Sequence, residues 1–252
     1  MSQLQKRIQK LQRREGPGIG FGRVSREQPR AMALIATARN AAEIQAALDA
    51  GADGVLVDAG GATAAAAVMK GIASEKLAIG CGLASLSEAD AEALNAAHCD
   101  FVVSPLDTTD SAAVDTEKMG QVVVATLDMD DNTLRALGPL GLDGLFVQRS
   151  TGAMTLAQQL GLVRLASFAS TGLIVTVDAG AAIGELRVLR DSGALAVVVP
   201  AGTSAEALTA LGETLRAVPA PKKGKREGGD IAIVPASKAG GHDEEGGEEE
   251  DD

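Results

Sequence analysis

The chain contains no tryptophan and no tyrosine, and Phe21, Phe101, Phe146 and Phe168 are its only aromatic rings. A core of 252 residues must therefore be assembled from Val, Ile, Leu and Ala. That composition suits closely spaced parallel strands buried on both faces. It disfavours a site that recognises bases or sugars by aromatic stacking. The two cysteines, Cys81 and Cys99, form no CxxC pair, and of the two histidines only His98 lies near them. This is neither a disulfide framework nor a zinc signature, and no metal site is expected. Long apolar runs are missing too. No segment approaches the roughly 20 apolar residues of a membrane span, and the N-terminus lacks the apolar core of a signal peptide. The expectation is a cytoplasmic protein without a transmembrane segment.

Charge is unevenly distributed around a net −11. Residues 1–30 hold eight Lys and Arg against Glu15 and Glu27, whereas residues 31–218 hold ten basic and twenty-two acidic residues. An acidic body excludes a nucleic-acid enzyme, which needs a positive face for phosphate. Leu4, Ile8 and Leu11 form one helical stripe in residues 2–14, with Lys6, Arg7, Lys10, Arg13 and Arg14 around it. Gly16 to Gly22 then interrupts the helix. This basic arm, residues 1–15, is read as a contact for another subunit, an acidic protein partner or an anionic membrane surface, or as a plug beneath its own domain. Residues 219–252 are a Pro, Gly and Lys linker and an acidic tail whose last ten residues include eight carboxylates. Such a segment has too little apolar surface to offset its ordering entropy and is expected to be disordered.

Between these ends runs a repeating pattern. Gly51-Ala-Asp-Gly-Val-Leu-Val-Asp58 is echoed by Asp100-Phe-Val-Val-Ser104, Gly141-Leu-Asp-Gly-Leu-Phe-Val-Gln148 and Gly193-Ala-Leu-Ala-Val-Val-Val199. Strands are predicted near 32–37, 54–58, 77–81, 100–104, 121–127, 143–148, 172–178 and 194–200. Helices are predicted near 41–50, 63–73, 86–98, 112–119, 131–138, 154–170, 182–192 and 204–217. Ser85-x-x-Glu88 and Thr203-x-x-Glu206 read as capping boxes, and Gly51, Gly141 and Gly193 as helix stops. Eight strand–helix units predict an α/β fold, a (β/α)8 TIM-type barrel over residues 31–218 with quarter-barrel repeats. An open doubly wound sheet is the competing architecture.

In a barrel, function belongs at the carboxyl ends of the strands. Those positions hold Thr37, Arg39, Asp58, Cys81, Ser104, Asp107, Asp128, Asp130, Gln148, Arg149 and Asp178, then Gly202-Thr203-Ser204. Asp58 and Asp178 share the phrase Val-Asp-Ala-Gly and, with Asp128, are the candidate catalytic carboxylates, suited to proton transfer or to Mg²⁺. The alternative is that they only cap the following helices. Arg39 and Arg149 are read as anion-binding groups or as half of a structural ion-pair ring. Cys81 reads as a buried small hydrophobe.

Asp178-Ala-Gly180 and Ala201-Gly-Thr-Ser204 stand before helix N-termini, whose free N–H groups attract anions. Here the chain resembles the phosphate-binding superfamily of (βα)8 barrels, which includes ribulose-phosphate-binding and flavin-binding members. The resemblance implies a phosphate held by Arg149, Gly180, Gly202, Thr203 and Ser204, and FMN or Mg²⁺ as the cofactors to test. The chain departs from that pattern in carrying no Lys at a strand end and no Asp-x-Lys-x-x-Asp. Its sole Gly-Gly-His lies in the acidic tail. The expected function is a lyase or isomerase for a small phosphorylated metabolite. The alternative is a non-catalytic barrel that binds partners through its basic arm and acidic tail.

Overall fold

The computed structural model describes residues 1–12, 30–72, 77–113, 115–150 and 152–219. The glycine-rich connector and the acidic tail lie outside the described residues. Eight parallel strands pair in sequence order and close on themselves, β8 returning to β1. They are β1 (Ala33–Ala38), β2 (Gly54–Val57), β3 (Ile79–Gly82), β4 (Phe101–Ser104), β5 (Gly120–Val124), β6 (Gly144–Val147), β7 (Leu173–Thr176) and β8 (Ala194–Val199). Around them stand α2 (Ala41–Asp49), α3 (Ala62–Met69), α4 (Glu88–Ala96), α5 (Asp131–Leu137), α6 (Leu156–Ala169), α7 (Ile183–Asp191) and α8 (Ala205–Ala217), while α1 (Gln3–Gln12) precedes the barrel. The closed barrel is thus the observed architecture, and the open sheet is excluded.

Strand alternation sorts side chains into two layers. Ala33, Ile35, Leu56, Phe101, Val103, Val122, Ile174, Ala196 and Val198 fill the interior. Their neighbours, among them Leu34, Val55, Val57, Val102, Val123 and Val197, pack outward under the helices. Gly51, Gly141 and Gly193 adopt positive φ (81°, 66° and 95°) just before β2, β6 and β8, as the helix-stop reading requires.

Three local expectations need correction. The predicted helix at 112–119 does not form; β4 leads instead into 3₁₀ turns at Leu106–Thr108 and Ser111–Ala113. Leu86 and Thr109 bridge as extended chain, and Thr109 Oγ1 bonds Ser104 Oγ at 2.8 Å, which holds this connection out of helical conformation. The Ser85–Glu88 capping box is displaced by two residues, because Leu86 is committed to that bridge. Ser87 and Asp90 make the reciprocal box instead. At α8 the cap is Ser204, whose hydroxyl accepts from Ala207 N, while Thr203 Oγ1 donates to Pro200 O.

Helix α1 closes the amino-terminal end of the barrel. Leu4 and Ile8, one turn apart, are buried in the same interior cluster as Phe101 and Ile35. A helix of ten residues is marginal by itself, and the barrel supplies its termini. Asp100 accepts from Gln3 N (2.6 Å) and Leu4 N (2.8 Å), Asp143 accepts from Ser2 Oγ, and Arg7 donates to the carbonyl of Asp53 (2.7 Å). Asp53, Asp100 and Asp143 are the aspartates of the repeated phrase before β2, β4 and β6. That repeat is therefore scaffold, anchoring the plug rather than serving the opposite mouth. Of the two readings of residues 1–15, the described part of the arm takes the plug: its own barrel covers the apolar stripe.

Burial pushes both Asp100 and Asp143 above the ordinary carboxylate range, against the hydrogen bonds they accept. A carboxyl group raised in this way keeps its proton to higher pH in the folded chain than in the unfolded one. Its stabilising contribution is full below the ordinary Asp range and is lost as pH rises through the folded value. Urea denaturation between pH 4 and 7 should show wild type losing stability with rising pH relative to Asp100→Asn/Asp143→Asn. Parallel pH profiles would contradict this account.

Candidate functional site

A cavity of about 530 Å³ opens at the carboxyl ends of the strands. Leu56, Val103, Val124, Phe146 and Val198 make an apolar floor continuous with the barrel interior. Above it the rim is polar: Thr37 near the end of β1 and Arg39 just after it, Asp58 after β2, Gln148, Arg149 and Ser150 after β6, and Thr176 and Asp178 at β7. Pro200 and Ala201 close the ring after β8. The alternation that sends Val198 and Thr176 inward also delivers the residues beyond the strands to this mouth.

The two arginines differ. Arg149 is a structural tie: Nη1 meets Glu185 Oε1 at 2.6 Å and Nη2 meets Gly152 O at 2.9 Å. Its side chain is only 5% exposed, and its Nε has no partner. Its backbone N–H donates to Thr176 Oγ1 at 2.8 Å, joining the β6 and β7 ends. Glu185, in the first turn of α7, neutralises much of its charge. Arg39 is exposed, and among the described residues no ion pair or hydrogen bond engages its guanidinium, although its backbone N–H donates to Glu43 Oε2 (2.8 Å). Among the described residues that line this mouth, Arg39 is the cation without a partner.

Asp58 and Asp178 both line the cavity and are exposed. Neither caps a helix: the N-caps of α3 and α7 are Gly61 and Ala182, without side-chain capping bonds. Neither pairs with Arg39 or Arg149, so the mouth carries no closed ring of ion pairs. Asp128 stands apart from the cavity lining, at the turn before α5, where the Thr126 hydroxyl holds its carboxyl below the ordinary range. Arg164 of α6 clamps that turn, pairing with Asp131 and donating to Leu127 O (2.9 Å) and Met129 O (2.6 Å).

Of the expected phosphate loops, Asp178 and Ala201 line the cavity, whereas Gly180, Gly202, Thr203 and Ser204 do not. Gly202 and Thr203 border a smaller cleft of about 50 Å³ shared with Glu43 and α2. Ser204 is occupied as the cap of α8. Gly180 and the uncapped start of α7 follow Asp178 directly, and Gly180 lines neither space. Cys81 is fully buried and faces the helix layer, where its contact with the Cys99 thiol and burial raise the Cys99 pKa. Sequence reasoning passed over Ser150, Thr176 and Glu185. Thr176 was legible from alternation in β7 and Glu185 as an acid in a first helical turn, but their meeting at Arg149 was not. Among the described residues no three His, Cys, Asp or Glu side chains converge on a metal-sized site. No described helix is long and apolar enough to cross a membrane.

Closed parallel barrel and open carboxyl-end cavity together define a (β/α)8 barrel. No protein-family model and no curated protein matches the chain. Solved structures do. A tryptophan synthase chain from M. tuberculosis, in its open form, superposes with a TM-score of 0.60 at 13% identity, covering 86% of this chain and 98% of that one. A protein from Aquifex aeolicus VF5 gives 0.55 at 11% identity, with 86% and 97% covered. A native KDPGal structure gives 0.50 at 17% identity, with 73% and 93% covered. At these identities the likeness is one of fold.

Proposed function

We propose that the chain binds a small phosphorylated metabolite in the carboxyl-end cavity and acts on it as a lyase or isomerase. The observation that carries this reading is the unpaired Arg39 guanidinium beside two carboxylates, Asp58 and Asp178, that neither cap a helix nor join an ion pair. An arginine without a partner at a cavity mouth offers charge-assisted hydrogen bonds to phosphate oxygens. The start of α7, which follows Asp178 and carries no side-chain cap, adds the anion preference of helix starts beside the cavity, and Gly180, Gly202, Thr203 and Ser204 stand at its margin. Arg149 frames this side through Glu185 and Gly152. Asp58 and Asp178 then serve as proton acceptor and donor on the carbon skeleton above the apolar floor. Asp128, outside the cavity, supports the β5–α5 turn. With no Lys or Cys among the described residues that line the cavity, a covalent Schiff-base or thiolate route is not part of this reading.

The test is calorimetric titration with inorganic phosphate and a panel of sugar phosphates. Arg39→Ala should weaken binding about 10- to 100-fold, the worth of one or two hydrogen bonds to a charged group. Asp58→Asn and Asp178→Asn should retain or strengthen phosphate binding, because each removes a negative charge, while abolishing turnover. Absence of phosphate-ester binding at millimolar concentration, or equal affinity in Arg39→Ala, rejects the proposal. The same lining, with no Lys, His or Cys, favours a purely binding barrel as the second reading. Ligand binding without turnover would select it.

A further inference from the structure

We propose that the ligand of the carboxyl-end cavity is a phosphate ester with an apolar body, an alkyl or aryl phosphate rather than a hydroxylated sugar phosphate. This names the substrate class of the site described above, and it rests on Arg39 as the anion-binding group. The lining divides around the barrel. Polar side chains reach the mouth from β6, β7, β1 and β2, among them Gln148, Asp178, Arg39 and Asp58, with Pro200 and Ala201 between them after β8. The arc of β3, β4 and β5 brings none, since its lining residues are Gly82, Leu83, Ala84, Val103 and Val124. The strands close in sequence order, so β5 stands opposite β1. A ligand held at Arg39 by its phosphate therefore extends across the mouth toward carbon.

That arc is open as well as apolar. Gly80 and Gly82, two residues apart on β3, face the same side of the sheet. A Cβ at Gly80 would stand 2.6 Å from the Phe101 ring, whereas one at Gly82 would meet no described atom within 4 Å beyond its chain neighbours. Phe101 thus fills the barrel beneath, and a slot opens above Gly82. Val124 and Phe146 pack on the interior cluster and remain only half-buried where they line the cavity.

Chemistry selects the occupant. The backbone of this arc is engaged in the sheet, where β3, β4 and β5 pair in register and Leu83 N donates to Val103 O at 2.9 Å. A sugar hydroxyl brought against it would leave water without gaining a side-chain partner, which opposes binding. A methylene in the same place gains by leaving water. The cavity, about 530 Å³, lies within the ~300–1,000 Å³ range of small-molecule pockets, more than a phosphate group alone fills.

Calorimetric titration of the full chain with inorganic phosphate, methyl, butyl and hexyl phosphate and a hexose phosphate tests it. Affinity should rise about threefold for each added methylene, as burial from water dictates. The hexose phosphate should bind no more tightly than methyl phosphate. Gly82→Val places a strand-favouring side chain in the slot without a clash, and should bring butyl and hexyl phosphate back to the methyl phosphate value. Val124→Thr, similar in shape but carrying a hydroxyl, should weaken hexyl phosphate about three- to tenfold, the worth of one or two buried methylenes. Circular dichroism should confirm native content in both. Arg39→Ala should weaken the whole series by one common factor. Equal affinity from methyl to hexyl phosphate, a hexose phosphate bound more tightly than hexyl phosphate, or a chain-length gain that survives both folded variants overturns the inference and leaves phosphate binding standing. Binding of none of these phosphates rejects the reading of Arg39 and this inference with it.

Discussion

Phe101→Ala should destabilise the chain by about 4 kcal/mol, the cost of emptying an aromatic volume from a close-packed interior. Phe101 is 1% exposed and the largest fully buried side chain among the described residues, clustered with Ile35, Ala78, Val103 and the plug residues Leu4 and Ile8. Its ring is accommodated because Gly80, opposite it on β3, has no side chain. A Cβ at Gly80 would stand 2.6 Å from the ring and 2.4 Å from the Phe101 carbonyl oxygen. Gly80→Ala should therefore cost about 2 kcal/mol by overpacking. In the Phe101→Ala background only part of that cost should disappear, since the carbonyl stays where it is. Urea denaturation followed by circular dichroism measures all three variants. A loss below about 1 kcal/mol for Phe101→Ala would contradict a filled barrel interior.

Asp53→Ala should cost about 3 kcal/mol, because it strands a buried guanidinium. The Arg30 side chain is 8% exposed and donates to Asp53 Oδ2 at 2.9 Å and Gly51 O at 2.7 Å. Asp53 also accepts from Leu34 N at 2.9 Å, so its carboxylate fastens β1 to the entry of β2. Arg30→Met should be milder, near 1 kcal/mol. The charge leaves together with its partner's need for it, the Asp53 carboxylate is 22% exposed to water, and the Met stem keeps most of the packing. Thermal denaturation of both variants gives the order. Equal or reversed losses would mean that the pair contributes little beyond surface electrostatics.

Both predictions concern residues that the repeated sequence phrase contains or adjoins. The phrase placed strands correctly because its valine and leucine runs follow the two-residue alternation of a sheet buried on both faces. Its aspartates, however, carried no sign of direction. Asp53, Asp100 and Asp143 precede their strands and gather at the plugged end, holding Arg30, Gln3, Leu4 and Ser2. Asp58 and Asp178 follow their strands and gather at the open end. The polarity of a parallel barrel, not residue type, separates structural from candidate functional carboxylates.

Arginine roles were the least legible. Arg39 and Arg149 occupy equivalent places just beyond strands, yet one is free and the other is tied to Glu185, thirty-six residues later. Asp128 looked equivalent to Asp178, but the turn before α5 carries it away from the mouth. The 112–119 segment has helical composition, yet its described residues hold only the end of the Ser111–Ala113 3₁₀ turn and irregular turns, downstream of the point where Thr109 and Leu86 meet.

The sequence by itself determined the alternation of strand and helix, the glycine stops, the aliphatic core and the number of units that closes a barrel. These follow from local backbone preferences and from the period of apolar residues, which neighbouring positions alone decide. Only the tertiary structure decided that helix α1 plugs its own barrel, that the Arg39 guanidinium has no partner among the described residues, and that Asp58 and Asp178 share one cavity. Each of these depends on residues distant in the chain meeting, or failing to meet, and pairing of that kind leaves no periodic trace in the sequence.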